Sequence, residues 1–532
     1  MTVHLLDVLA DQPFAEIGRP VRVLDDPARD VLVVAGDLGH TQWLGNGDGV
    51  SHYRVAVYDR SDLTCRQVAA TGWRANDLAI HPSGRWVAVA TGSYDGGYHF
   101  EGELIMIDLE RGTSVSVLRA VREVVVVHWL DETRLHVELS PVHDDCAPED
   151  LHDESFVLTA SWGEVAPRSI ELPAAPGGDV TATRTASDAD TAHATLGAAA
   201  ARTGRRWAVR RRVAVVAGRS DGSVLAAGEG VAAERWAPDG RTSPVWRRGA
   251  PVGAGCQLAP LTSTTVLTTV ATPGPGGPAT RGSEHDVLDV ATGDVLASVR
   301  PGGPSISIVS CGSFGVLRGA APFPGREPTA PALVVGPDGS TLARLDLPHF
   351  VRDAHWFDIV DAPAPLVLTD HGTRPHVERW VERVDLTPAG AATRRLFPLD
   401  WDAPRDRLLD GGPGAFVDDA QGEAVVHSAT AHEHPNRQRR FLVRRTYPTG
   451  AVQWVTELPA RVTGVATSDG VLAVTTADGR LLLVDALTGA TVDDVELRVH
   501  GQPVVPLCVS AYGDGRLAVG LLDGRILRLR RE

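Results

Sequence analysis

Residues 471–497 read VLAVTT-ADG-RLLLVDA-LTG-ATVDDVEL. Two aliphatic and β-branched runs flank Ala477-Asp478-Gly479, and a third follows Leu487-Thr488-Gly489. Runs this short suit pleated strands better than amphipathic helices. In each turn the glycine supplies the positive φ that a tight reversal needs. The stretch is therefore read as antiparallel strands joined by hairpins. Turns of the same kind recur at Asp59-Arg60-Ser61-Asp62, Leu109-Glu110-Arg111-Gly112, Trp162-Gly163, Pro238-Asp239-Gly240, Thr292-Gly293, Pro337-Asp338-Gly339, Pro388-Ala389-Gly390 and Thr449-Gly450. Most intervals run from roughly 40 to 60 residues, a period that marks stacked supersecondary repeats. One such unit cannot bury both its faces, so neighbours must pack together in a ring or a solenoid.

Ten units can be laid out, each offering four short strands: residues 21–70, 76–118, 124–172, 207–247, 256–299, 305–347, 354–399, 415–458, 462–497, and a tenth with strands at 504–510, 516–522 and 525–530. The tenth has three strands, and residues 2–9 form a spare one. Pairing the spare strand with the incomplete unit closes a ring and removes its free edges. The expected fold is an all-β propeller: a single ring of seven to ten blades, the last closed by the N-terminal strand. The expected divisions are residues 1–172, an Ala/Thr/Gly-rich linker or insertion at 173–206 with a short helix around 192–202, and residues 207–532.

Composition narrows the functional classes. Among 532 residues, 43% are hydrophobic, ample for packed cores. The net charge of −16 weighs against nucleic acid and anionic membrane as general partners. All 51 basic residues are arginine, so lysine-based covalent chemistry is excluded. The five cysteines, Cys65, Cys146, Cys256, Cys311 and Cys508, form no CxxC pair, so neither a zinc knuckle nor a disulfide framework is indicated. With no signal-peptide pattern and no apolar run near roughly 18 residues, the expectation is a cytoplasmic protein.

Two stretches resemble known repeats. His81-Pro82-Ser83-Gly84-Arg85-Trp86-Val87-Ala88-Val89-Ala90 resembles the turn-and-strand entry of WD40-like propellers. Tyr447-Pro448-Thr449-Gly450-Ala451-Val452-Gln453-Trp454 resembles the quinoprotein-like repeat, in which a glycine and a following tryptophan dock adjacent blades. The resemblance implies the propeller fold. It departs from both patterns: no Gly-His…Trp-Asp pair recurs, and the Trp454 slot holds Asp493 in unit nine and Ala297 in unit five. No quinone or metal-dehydrogenase motif is present, so redox activity does not carry over.

With blade strands lettered A to D outward from the axis, the B–C loops are unequal. Those of units nine and ten are tight, and most others are long. The long ones are rich in His, Asp and aromatic residues, and hold ten of the nineteen histidines: His40, His52, His99, His143, His152, His285, His371, His376, His432 and His434. Loops on a rigid scaffold are where binding groups concentrate. The candidate binding residues are Trp43, Tyr94, Tyr98, Phe100, His371, Arg374, His376, His432, His434 and Arg437. His143, Asp144, Asp145, His152 and Asp153 are weaker candidates for a metal, their spacing being nonspecific. The arginine tracts at 205–212 and 437–445 are the basic patches, read as strand-edge protection. No GxSxG, HExxH, P-loop or GxGxxG motif is found, and no cofactor is expected. The sequence therefore favours a non-enzymatic scaffold that presents its B–C face to a protein partner. The alternatives are a hydrolase or lactonase-type enzyme with a metal or acid–base site at the channel mouth, and a small-ligand sensor.

Overall fold

The computed structural model describes residues 2–39, 52–94, 99–141, 153–174, 184–240, 242–251, 257–271, 283–301, 305–319, 331–347, 357–370, 378–401, 408–434 and 437–532. The described residues form an all-β fold of successive antiparallel sheets, apart from one α-helix and short 3-10 turns. Its antiparallel sheets follow one another along the chain in the order of the ten sequence units. They are called here sheets one to ten. Seven are four-stranded. Among the described residues no helix is long and apolar enough to cross a membrane.

Three sheets depart from the expected four strands, each for a local reason. Ile359–Val360 should open sheet seven, but it pairs in parallel with Leu408–Asp419, leaving sheet seven with three strands and sheet eight with five. Gly414 permits this: a Cβ there would fall 2.6 Å from Cδ1 of Ile359. Sheet three also has three strands, since its last segment turns away and Ile170 bonds instead with Val117 and Arg119 at the end of sheet two. The turn expected at Trp162-Gly163 is a 3-10 turn, Trp162–Glu164, with the indole buried against Trp129.

The sheets fall into two compact units. The unit formed by Gln12–Asn46 with Val50–Arg210 holds sheets one to three. Val33, Val57, Leu78 and Val89 fill the space between sheets one and two, and Ala88, Leu104, Leu135, Val137 and Phe156 that between two and three. Helix α1, Ala189–Arg202, covers the other face of sheet one with Ala192, Leu196 and Ala199 against Val34, Ala56 and Tyr58. It starts a turn earlier than the expected 192, because Asp188 caps it by accepting from the Thr191 amide at 2.9 Å.

The unit formed by Met1–Asp11 with Arg211–Glu532 holds sheets four to ten. Its middle strands lie between neighbours on both faces, so they read as unbroken aliphatic runs; all of Val471–Thr476 is buried. The outermost strand of the same sheet, Thr491–Glu496, alternates exposed and half-buried. Val3–Leu9 supplies the fourth strand of sheet ten, pairing antiparallel with Ile526–Arg531. Arg528 grips both Asp7 oxygens, and Thr2 and Glu532 exchange main-chain hydrogen bonds of 3.1 and 3.0 Å.

Between sheets, a turn glycine lies against the last strand of the sheet before it. Gly489 meets the Trp454 ring, Gly293 meets Trp246, Gly450 meets Phe397, and Gly339 meets Ala297. The indole N–H then donates onward, from Trp454 to the Ala486 carbonyl at 3.1 Å and from Trp246 to the Val290 carbonyl at 3.0 Å.

The tract at 437–445 corrects one reading, because Arg444 and Arg445 are interior rather than surface residues. Consecutive positions on a middle strand point to opposite faces, and each face is covered. Arg444 bonds Asp419 at 2.7 and 2.8 Å and the Ala486 carbonyl of sheet nine at 2.6 Å. Arg445 bonds carbonyls of Leu399 at 2.7 Å, Asp400 at 3.0 Å and Gly450 at 3.1 Å.

A Cβ at Gly489, whose φ is +72°, would lie 2.8 Å from the Trp454 ring, whereas at Gly470, φ +75°, it would meet nothing within 4 Å. Gly489→Ala is therefore expected to lose roughly 3 kcal/mol, from backbone strain plus overpacking. Gly470→Ala should lose about 1 kcal/mol, from strain alone. Equilibrium denaturation of the two variants checks the difference.

Candidate functional site

The expected long loop around His432 is a correction. Gly422–His434 and Arg437–Thr446 continue as paired strands far beyond the sheet body, in register from Ala424↔Thr446 to His432↔Gln438, with a shift before His434↔Arg437. On this extension Arg439 bonds Glu457 of the next strand at 2.6 and 3.0 Å. The neighbouring strand, Leu408–Asp419, follows as far as Leu408↔His432, although Gly411-Gly412-Pro413-Gly414 bulges out of register midway.

At the head of this sheet three polar side chains meet. His432 Nε2 lies 2.7 Å from Asp410 Oδ2. Arg379, which opens the strand Arg379–Thr387 of sheet seven, donates to Asp410 Oδ1 at 3.2 Å and to the Leu409 carbonyl. Relative exposure is 2% for Arg379, 15% for Asp410 and 25% for His432, so one edge of the group reaches solvent. Burial works against charge on Asp410, yet His432 and Arg379 outweigh it and hold the carboxyl below its usual range.

Two further carboxylates stand near the bulge. The Asp358 carbonyl accepts from the Gly414 amide at 2.8 Å. Asp358 is in contact with solvent, but surrounding protein strips enough water from its carboxyl to push the pKa up to about 6, with the charge of Asp361 adding. Burial raises Asp361 as well. A carboxyl poised this way is suited to accept or donate a proton near neutral pH.

In the three-sheet unit, Tyr94 and Phe100 face each other across the end of the hairpin formed by Trp86–Tyr94 and Phe100–Asp108. Their ring centroids are 5.1 Å apart with planes tilted 45°, and Tyr94 is 43% exposed. Of the sequence candidates, then, Tyr94 and Phe100 are brought together, and His432 finds Asp410. His434 and Arg437 are cross-strand partners. Trp43, Tyr98, His371, Arg374, His376, His143, Asp144, Asp145 and His152 lie outside the described residues. Asp153 is exposed and helps to raise the pKa of Glu138, second to burial. Among the described residues no three His, Cys, Asp or Glu side chains are grouped to hold a metal ion.

Sequence reasoning missed Arg379, Asp410, Asp358 and Asp361. The run Asp410-Gly411-Gly412-Pro413-Gly414 was the available signal, since such a run inside a strand marks a bulge that re-aims side chains. For Asp358 there was none. His285, read as a loop residue, is instead fully buried in the strand Ser283–Asp289, bonded to Thr269 Oγ1 at 3.1 Å. The strands of that sheet simply run longer than their turn signals suggested.

No family model and no curated protein matches this chain. Among solved structures, the crystal structure of BamB from Moraxella catarrhalis is similar at 13% identity and a TM-score of 0.37, over 60% of this chain and 96% of that one.

Two buried histidines make acid stability testable. Burial lowers the His285 pKa to about 4, and burial together with Arg445 lowers that of His427 to about 3. Both lie below the ordinary 6.5 that the unfolded chain recovers. The unfolded state therefore binds more protons in that window, and stability falls as pH drops from 6.5 toward 3–4. Each histidine should contribute roughly 3 to 4 kcal/mol to that loss. His285→Gln and His427→Gln are expected to flatten the dependence of unfolding free energy on pH, measured by denaturant titration across the window.

Proposed function

We propose that this protein is a non-enzymatic interaction module that presents the B–C face of a propeller to a protein partner. The observation that carries the reading is the contrast between the two ends of the sheets. Turns on the C–D side are tight and self-satisfied: Asp338 accepts from Ser340 and Asp485 from Thr488. Strand ends next to B–C loops carry, in the three-sheet unit, the exposed Tyr94 against half-buried Phe100 and, in the seven-sheet unit, the half-open Arg379–Asp410–His432 group. Aromatic and arginine side chains fixed by strand pairing are the residue types that anchor protein interfaces.

We further propose that sheets four to ten are seven blades of one closed ring. Support comes from the succession of apolar clusters. Each joins one sheet to the next, and Leu9, Val213, Val216, Val224, Ala518 and Ile526 join sheet ten back to sheet four. In chain order, sheets one to three then fall between the closing strand and the first blade.

A second reading rests on Asp358. A carboxyl with a pKa near 6 is suited to general acid–base work, as in a hydrolase or lactonase. Turnover of a lactone or ester panel that disappears in Asp358→Asn would establish it.

For the interaction reading, Tyr94→Ala with Phe100→Ala, and separately His432→Ala, should weaken capture of the native partner. Loss of an anchor lowers affinity by about 2 kcal/mol or more. The C–D substitutions Asp338→Ala and Thr488→Ala should leave binding intact, with melting curves run on every variant. Loss of the partner on the C–D side alone would reverse the face assignment.

A further inference from the structure

In the three-sheet unit one hydrogen-bonded junction gathers three arginines. Arg22 Nε donates to the Asn76 carbonyl at 2.6 Å, and its Nη1 to the Val21 carbonyl at 2.8 Å. Arg74 lies two residues before Asn76, its carbonyl accepting from Gly92 at 3.0 Å. Residues 184–188 run across the first strands of sheets one and two: the Ser187 amide bonds Val23 at 2.9 Å and the Ala186 amide bonds Asp77 at 3.0 Å. Arg184 is thereby held two residues from the same junction. The proximity is felt: after burial, the charges of Arg184 and Arg74 are what lower the Arg22 pKa, with Asp77 and Asp188 opposing.

Among the described residues, arginines such as Arg85, Arg248 and Arg528 are paired with carboxylates. The acidic side chains around the junction, however, are engaged elsewhere. Asp77 is buried and accepts the amides of Leu78, Val127 and Ala186 at 2.9, 3.2 and 3.0 Å. Asp188 caps α1. Glu123 accepts from Asn76 at 3.0 Å and Ser140 at 2.8 Å. Burial first, then Asp153, raises the Glu138 pKa, while the charge of Arg184 lowers it. Among the described residues, Arg74 and Arg184 are exposed and make no ion pair, and Arg22 spends two of its N–H groups on carbonyls only.

We propose that Arg22, Arg74 and Arg184 bind an oxyanion, a phosphate or carboxylate group. Guanidinium forks match such groups in geometry, and the bound anion would relieve the repulsion among the three cations. The site does not depend on the partner-binding reading above.

The test uses the full chain titrated calorimetrically, at constant ionic strength with chloride as the reference anion. One arm is inorganic phosphate and the other a polyglutamate peptide. Saturable binding of phosphate, weakened about tenfold or more in both Arg74→Gln and Arg184→Gln but not in Arg168→Gln, identifies a small oxyanion as ligand; tenfold corresponds to one lost charge-assisted hydrogen bond. The same pattern with polyglutamate alone identifies a carboxylate-rich peptide. Anion-free melting temperatures of the two variants should equal or exceed that of the unaltered chain, since each removes repulsion. Binding of neither ligand, unchanged binding in both variants, or lower anion-free melting temperatures would overturn the proposal.

Discussion

Everything in the seven-sheet unit depends on how closely one sheet can approach the next. At four of its junctions that approach is set by a turn glycine lying against the last strand of the preceding sheet. Any Cβ there would enter the space occupied by Trp454, Trp246, Phe397 or Ala297. The glycine acts twice, since its positive φ makes the turn and its missing side chain admits the ring. Where the partner is tryptophan, the indole N–H binds a carbonyl of the later sheet, so the contact has direction as well as area. Apolar packing between sheets is non-directional, and these contacts give it a register.

Charge is used inside this stack in the same way. Arg444 and Arg445 reach in opposite directions from one strand and satisfy carbonyls of both neighbouring sheets. A guanidinium can do this because its planar fork offers several donors and is weakly hydrated, whereas an ammonium could not bridge so many carbonyls at once. In a chain whose basic residues are all arginine, interior cations of this kind are available at many positions. Removing one would strand carbonyls and carboxylates together, which is why such groups brace the stack even where their net contribution is modest.

The same rigidity explains why the candidate sites sit at strand ends. Asp410 and His432 stand on paired strands and meet Arg379 from the adjacent sheet, so their geometry is inherited from the ladder rather than from a loop. Tyr94 and Phe100 are likewise fixed by cross-strand register. Pre-ordered groups lose little freedom on binding. The bulge at Gly411-Gly412-Pro413-Gly414 accommodates the extra parallel strand, which follows directly on Asp358.

The sequence alone determined the local chemistry: where turns fall, which runs are strands, which strand is spare, and which residue lies in each docking slot. Turn glycines, β-branched runs and Ala297 in the place of Trp454 are short-range signals, and each was legible within a few residues. What only tertiary structure decided is everything set by distant pairing. Ile359–Val360 joins the following sheet because Gly414 leaves room for it, fifty-odd residues along the chain. His432 became a strand residue facing Asp410, and Arg444 and Arg445 became interior groups, because strand length and face are settled by neighbours that no local pattern names. Likewise, nothing in the spacing of Arg22, Arg74 and Arg184 foretells that a hydrogen-bonded junction gathers them, since contacts between residues far apart in sequence follow from packing and not from period.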